Sequence, residues 1–163
     1  MDRSLRSYFV ATASFVAVSA VAAIALAAAA HFIRADASGP DASGSLTVNF
    51  KIAGLGDTVT TTVTASAEAT AVYACMNNGG NFPSDPRKQQ VSGPVSSSGD
   101  FTSGRNGQIT ASLTLNPPPS TLDCPAGQHA VLVSVTYTDD AVSEPNAGNE
   151  SISGTFSRVF FNI

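Results

Sequence analysis

"LTVNFKI", residues 46–52, alternates Leu46, Val48, Phe50 and Ile52 with Thr47, Asn49 and Lys51. Successive side chains of an extended chain point to opposite faces, so this spacing builds a strand with one apolar and one polar face. The period of two recurs along the rest of the chain. "TVTTTVTA" sets Val59 and Val63 apart from threonines, and "EATAVYAC" places Ala69, Ala71, Tyr73 and Cys75 together. "QITASLTL" aligns Ile109, Ala111, Leu113 and Leu115, and "HAVLVSVTYT" aligns Val131, Val133, Val135 and Tyr137. The final "SISGTFSRVFFNI" is rich in aromatic and β-branched residues, and its mixed parity near residues 159–161 points either to a bulge or to a two-sided environment.

Turn-forming residues separate these runs: Gly54 to Asp57, Asn78-Gly79-Gly80, Gly93-Pro94, Asn106-Gly107 and Pro117 to Pro119. No stretch after residue 44 carries helical periodicity with caps. Six runs, with shorter ones at 89–91 and 99–102, give seven or eight strands. The expected fold is all-β, an immunoglobulin-like antiparallel β-sandwich, with a small closed barrel as the alternative. The chain has no Trp, so the buried Trp of an antibody-type core is not available.

The N-terminal part has a different character. Arg3 and Arg6 precede residues 7–33, which contain no Asp, Glu, Lys or Arg. A positive start followed by an apolar run is the pattern of an export signal. At about 1.5 Å per residue, the apolar residues 8–33 are also long enough to span a bilayer as a helix. Residues 1–37 therefore read as a signal peptide or a signal anchor, with the N-terminus in the cytoplasm and the rest outside. Two A-x-A sites, at Ala28 and Ala30 and at Ala35 and Ala37, would serve cleavage. Residues 38–45, all but Ser45 within "DASGPDASG" (36–44), read as a flexible linker, which leaves 46–163 as the β-domain. The expected location is secreted or extracytoplasmic. Membrane contact is expected only through residues 8–33, if they are retained.

Beyond residue 37, five Lys and Arg stand against ten carboxylates. Such an acidic surface offers no footprint for nucleic acid and repels anionic lipid.

Cys75 and Cys124 are the only cysteines. Structural zinc needs about four Cys or His ligands, and redox pairs are closely spaced. In an oxidising compartment the remaining expectation is a structural disulfide, which for a loop of this length contributes about 4 kcal/mol. It would bring the turn-rich loop after Cys75 to the "LDCPAGQ" turn. Asn77, Asn78, Asn81, Arg87 and Lys88 would then form a candidate binding loop, since recognition concentrates on loops held by a rigid scaffold.

His129 is the only histidine beyond the leader, and it opens an alternating apolar strand. No Gly-x-Ser-x-Gly elbow accompanies it, so no catalytic residues are assigned. The acidic run 138–150 reads either as a plain exposed turn or as a calcium loop with oxygen ligands from Asp139, Asp140, Glu144 and Glu150, joined by Asn146. No other cofactor is expected. Asn149-Glu150-Ser151 is a glycosylation sequon that would act only in a eukaryotic secretory pathway.

"AGLG" at 53–56, "YACMNNGGNFPSDPRKQ" at 73–89, "CPAGQ" at 124–128 and "VLVSVTYTD" at 131–139 together resemble a group of small exported proteins of actinobacteria and fungi that have no assigned activity. The resemblance implies an exported β-domain with a single disulfide and transfers no catalytic or binding residue. The function expected is that of an exported or cell-surface, non-enzymatic binding module for an extracytoplasmic protein or surface ligand. A secreted hydrolase or toxin with a non-standard site, and a structural envelope component, are the alternatives.

Overall fold

The computed structural model describes residues 29–163, so most of the hydrophobic leader lies outside the described residues. Eight strands follow in order: β1 (His31–Ser38), β2 (Leu46–Ala53), β3 (Thr60–Asn77), β4 (Lys88–Thr102), β5 (Ile109–Leu115), β6 (Gln128–Glu144), β7 (Gly148–Ile152) and β8 (Phe156–Val159). They form two antiparallel sheets. One runs β1-β2-β5; the other runs β4-β3-β6-β7, with β8 also paired to β6. The all-β class expected from the alternation is therefore present.

The inward faces of both sheets meet in one hydrophobic cluster. β2 contributes Leu46, Val48, Phe50 and Ile52, each essentially inaccessible to solvent. β3 answers with a stripe of small residues, Ala65, Ala67, Ala69 and Ala71 after Val63. β5 adds Ile109, Leu113 and Leu115, and β6 adds Val135, Tyr137 and Val142. Phe50 of β2 meets Phe101 of β4 edge to face, with ring centroids 5.3 Å apart. The buried Tyr137 hydroxyl donates to the Gly44 carbonyl at 2.8 Å, linking β6 to the turn that enters β2. Gly44 has φ 88°, a backbone conformation that favours glycine, and a Cβ there would sit 2.5 Å from Leu132 Cδ2, so the leucine side chain would have to move for any other residue.

Several element bounds differ from the sequence expectation. The runs at 58–65 and 68–75 are one 18-residue strand, β3. The two short runs on either side of Gly93-Pro94 are likewise one strand, β4. Pro94 lacks a donor, but β4 is the edge strand of its sheet, where a missing N–H breaks no ladder on the open side.

Residues 31–38, expected as the leader's end and the start of a linker, form the edge strand β1. Phe32, Ala35 and Ala37 pack on the core, while Ile33 sits at a register shift and is half exposed. Arg34 pairs with Asp36 at 2.8 Å, and Asn49 donates to Asp36 across the strands. The remaining residues of the expected linker make an ordered turn. There the Asp41 carboxylate accepts from the Ser43 hydroxyl and from the Ser45 and Ser43 amides, which holds it below the usual carboxylate range.

The acidic run 138–150 is mostly paired strand rather than loop. Thr138 pairs with Glu68 and Ala141 with Ser66, so Asp139 and Asp140 together stand opposite Ala67. This is a β-bulge, with Asp139 at φ 54°. The extra residue reverses which positions face inward. Val133, Val135 and Tyr137 are buried before the bulge, and Asp140, Val142 and Glu144 after it.

Asp140 is thus carried into the interior, 1% exposed, and neither carboxylate oxygen has a hydrogen-bond partner among the described residues. Burial is the main reason its pKa is pushed up to about 6; the charge of Asp139 adds to the rise, and the nearby Asp140 backbone N–H opposes it. The unfolded chain releases this proton near pH 4, whereas the folded chain keeps it to about pH 6. Stability from this group therefore falls as pH rises from about 4 to about 6 and stays low above that, by on the order of 2–3 kcal/mol. Denaturant titrations across pH 4–8 should show this decline in the native chain. Asp140→Asn should flatten it and stabilise the domain at pH 7, and an unchanged slope would count against the burial of an unpartnered carboxyl.

Candidate functional site

The most built-up irregular region lies where β3 ends and β4 begins. Cys75, two residues before the end of β3, is fully buried, and its bond to Cys124 spans 5.6 Å between Cα atoms. Cys124 belongs to residues 116–127, a strap without regular structure that connects β5 to β6. Because prolines 117–119 cannot donate to a ladder, side chains and isolated amides hold this segment. The Tyr73 hydroxyl donates to the Pro118 carbonyl at 2.8 Å. The Gln89 side chain bridges Ser120 and Thr121. Arg87 donates to the Asp123 carbonyl at 3.2 Å, and the Asn78 amide donates to the Gly127 carbonyl. With the disulfide, these tethers lay the strap along the ends of β3 and β4.

The loop between β3 and β4 is folded on itself. Asn77 Oδ1 accepts from the Gly79 and Asn81 amides, the Asn77 amide donates to the Asn81 carbonyl, and the Cys75 amide donates to the Arg87 carbonyl. Asn77 and Asn81 thus serve the turn itself. The side chains of Asn78, Arg87 and Lys88 face solvent, with Lys88 as the first residue of β4. Phe82, from the same loop, packs edge to face on Phe161 at 5.2 Å. The C-terminal segment is anchored by the Phe160 and Phe161 amides on the Val133 carbonyl and leaves Val159, Phe161 and Ile163 exposed. Arg158 lies over the Phe160 ring at 5.1 Å. The disulfide end therefore carries two solvent-exposed cationic side chains, Arg87 tethered to the strap and Lys88, on a loop that touches the C-terminal segment through Phe82.

Tyr73, Gln89, Ser120, Phe82 and Phe161 were not legible as members of this region. Their partners lie 31 or more positions away in sequence, and a lone Gln or Tyr carries no signal of such a bond.

The acidic hairpin is arranged differently. Burial tends to raise the Glu144 pKa. The Thr61 hydroxyl, the Ala147 and Asn146 amides and the Asn146 side chain outweigh it and hold the carboxylate below its usual value. Glu144 therefore closes the β6–β7 turn. Asp140 is buried, whereas Asp139 and Glu150 are exposed. Hollows of about 500 and 540 Å³ flank the hairpin. Glu144 borders the first, Asp139 and Asp140 border the second, and Asn149 borders both. The four candidate calcium ligands do not converge: among the described residues no three of His, Cys, Asp and Glu gather where they could share an ion. Asn149 is exposed on β7. His129 is exposed opposite Met76 at the start of β6, and among the described residues no carboxylate pairs with it.

Replacing Cys75 and Cys124 by Ser should cost about 3–4 kcal/mol of unfolding free energy, measured by denaturant titration. Amide exchange in residues 121–127 should accelerate, while the centre of β2 keeps its protection; uniform acceleration would instead show that the bond stabilises the whole domain without locally fixing the strap.

Compared with known proteins, the chain matches no family model, no curated protein and no solved structure.

Proposed function

We propose that this chain is an exported, non-enzymatic interaction domain of immunoglobulin-like sandwich architecture. It engages an extracytoplasmic protein through its disulfide end. The observation that carries this is the stapling of the strap 116–127 onto the loop before β4, which presents Arg87 and Lys88 at the end of a loop whose Phe82 packs on the exposed Phe161. Rigid loops lose little entropy on docking, and exposed arginine and aromatic side chains are the types enriched at interface centres. On a chain of net charge −4, a local cationic spot also orients an approaching acidic partner.

The buried disulfide supports an oxidising location, and the positively started apolar leader supports export. The small exported β-domains that the sequence resembles point the same way.

The experiment is affinity capture of surface and secreted proteins with the intact oxidised domain. A double variant, Arg87→Ala with Lys88→Ala, should reduce recovery of a specific partner at least tenfold while the domain stays folded and oxidised, and Lys88→Ala alone, which removes no strap tether, should reduce it in the same direction. Equal recovery would overturn the assignment of this surface.

A further inference from the structure

Two small-residue sites precede the domain, one ending at Ala30 and the other at Ala37, and the fold treats them differently. Strand β1 starts at His31. The second site lies inside β1, where Ala35 pairs with Phe50 and Ala37 with Val48. A chain that began at Ser38 would lose Phe32, Ala35 and Ala37 from the core face, the Arg34–Asp36 ion pair and the Asn49–Asp36 hydrogen bond. It would also leave β2 as an uncovered sheet edge, a template for aggregation. By contrast, Ala29 and Ala30 belong to no strand, so a chain that begins at His31 keeps every residue of β1.

A second observation is independent of the fold. A signal peptide's cut follows an apolar centre and small residues. Ala28 and Ala30 directly follow an uncharged, alanine-rich run, whereas Ala35 and Ala37 are interleaved with Arg34 and Asp36.

We infer that the peptide bond between Ala30 and His31 is a processing site for a membrane-bound signal peptidase, and that the mature protein begins at β1. The step is hydrolysis: water adds across the bond, Ala30 takes the hydroxyl as a new carboxyl group, and His31 takes the hydrogen as a new amino terminus. The inference rests on the export reading above and adds where the leader ends. The mature chain then carries no tether between its N-terminus and its first strand.

The test is expression of the full chain in an exporting host, with N-terminal sequencing and non-reducing intact mass of the product. The expected product starts at His31 and contains the Cys75–Cys124 bond. Ala30→Leu should place a bulky side chain next to the cut, leaving full-length, membrane-associated protein as the main species, with at least tenfold less protein starting at His31. A product starting at Ser38, a full-length disulfide-bonded native chain in the membrane fraction, or unaltered processing of Ala30→Leu would each overturn the site while leaving export standing. Full-length native chain in the cytosol with two free thiols would overturn export itself.

Discussion

The alanine stripe on the inward face of β3 sets the geometry of the whole core. Ala65, Ala67, Ala69 and Ala71 add little volume, so the facing sheet can fill the space with Leu46, Val48, Phe50 and Ile52. Close packing between sheets needs large side chains to be met by small ones, and here the division is made strand by strand. A bulky residue in the stripe would push the sheets apart along β3, the strand that also pairs with β4 and β6 along most of its length. The Tyr137–Gly44 bond fits the same spacing, because its hydroxyl reaches across to a glycine that must come close.

Much of the fold was readable because alternation is a local signal. Leu46 to Ile52 and Ile109 to Leu115 declare their inward faces unaided, and in the structure they pair in the register that this parity requires. The alternation failed where local chemistry and tertiary position disagree. Gly93-Pro94 reads as a turn, yet an edge strand tolerates both residues. Phe32 to Ala37 reads as the end of the leader because Phe32 and Ile33 close the uncharged run and Ala35 and Ala37 offer a second A-x-A site; pairing with β2 makes it a strand.

The site was legible to a smaller degree. Two cysteines and a crowded turn announced the disulfide end, but the strap's hydrogen bonds join residues whose kinship exists only in space. The acidic run misled for a definite reason. One bulge residue changes the parity of everything after it, sending Asp140 and Glu144 inward although their composition suits solvent. The two then reach opposite conditions, one carboxyl without a donor and the other with four, because only Glu144 stands at a turn that exposes free amides.

The disulfide also determines how the chain withstands being cut. Residues 76–123 form a covalently closed loop that contains β4, in one sheet, and β5, in the other. A single proteolytic nick anywhere in that loop, including the exposed tip near Gly79 and Gly80, opens the ring without producing two separate molecules. The fragments stay joined through Cys75 and Cys124, and both sheets keep their strands. The most accessible segment of the disulfide end is therefore one whose cleavage the architecture is built to survive.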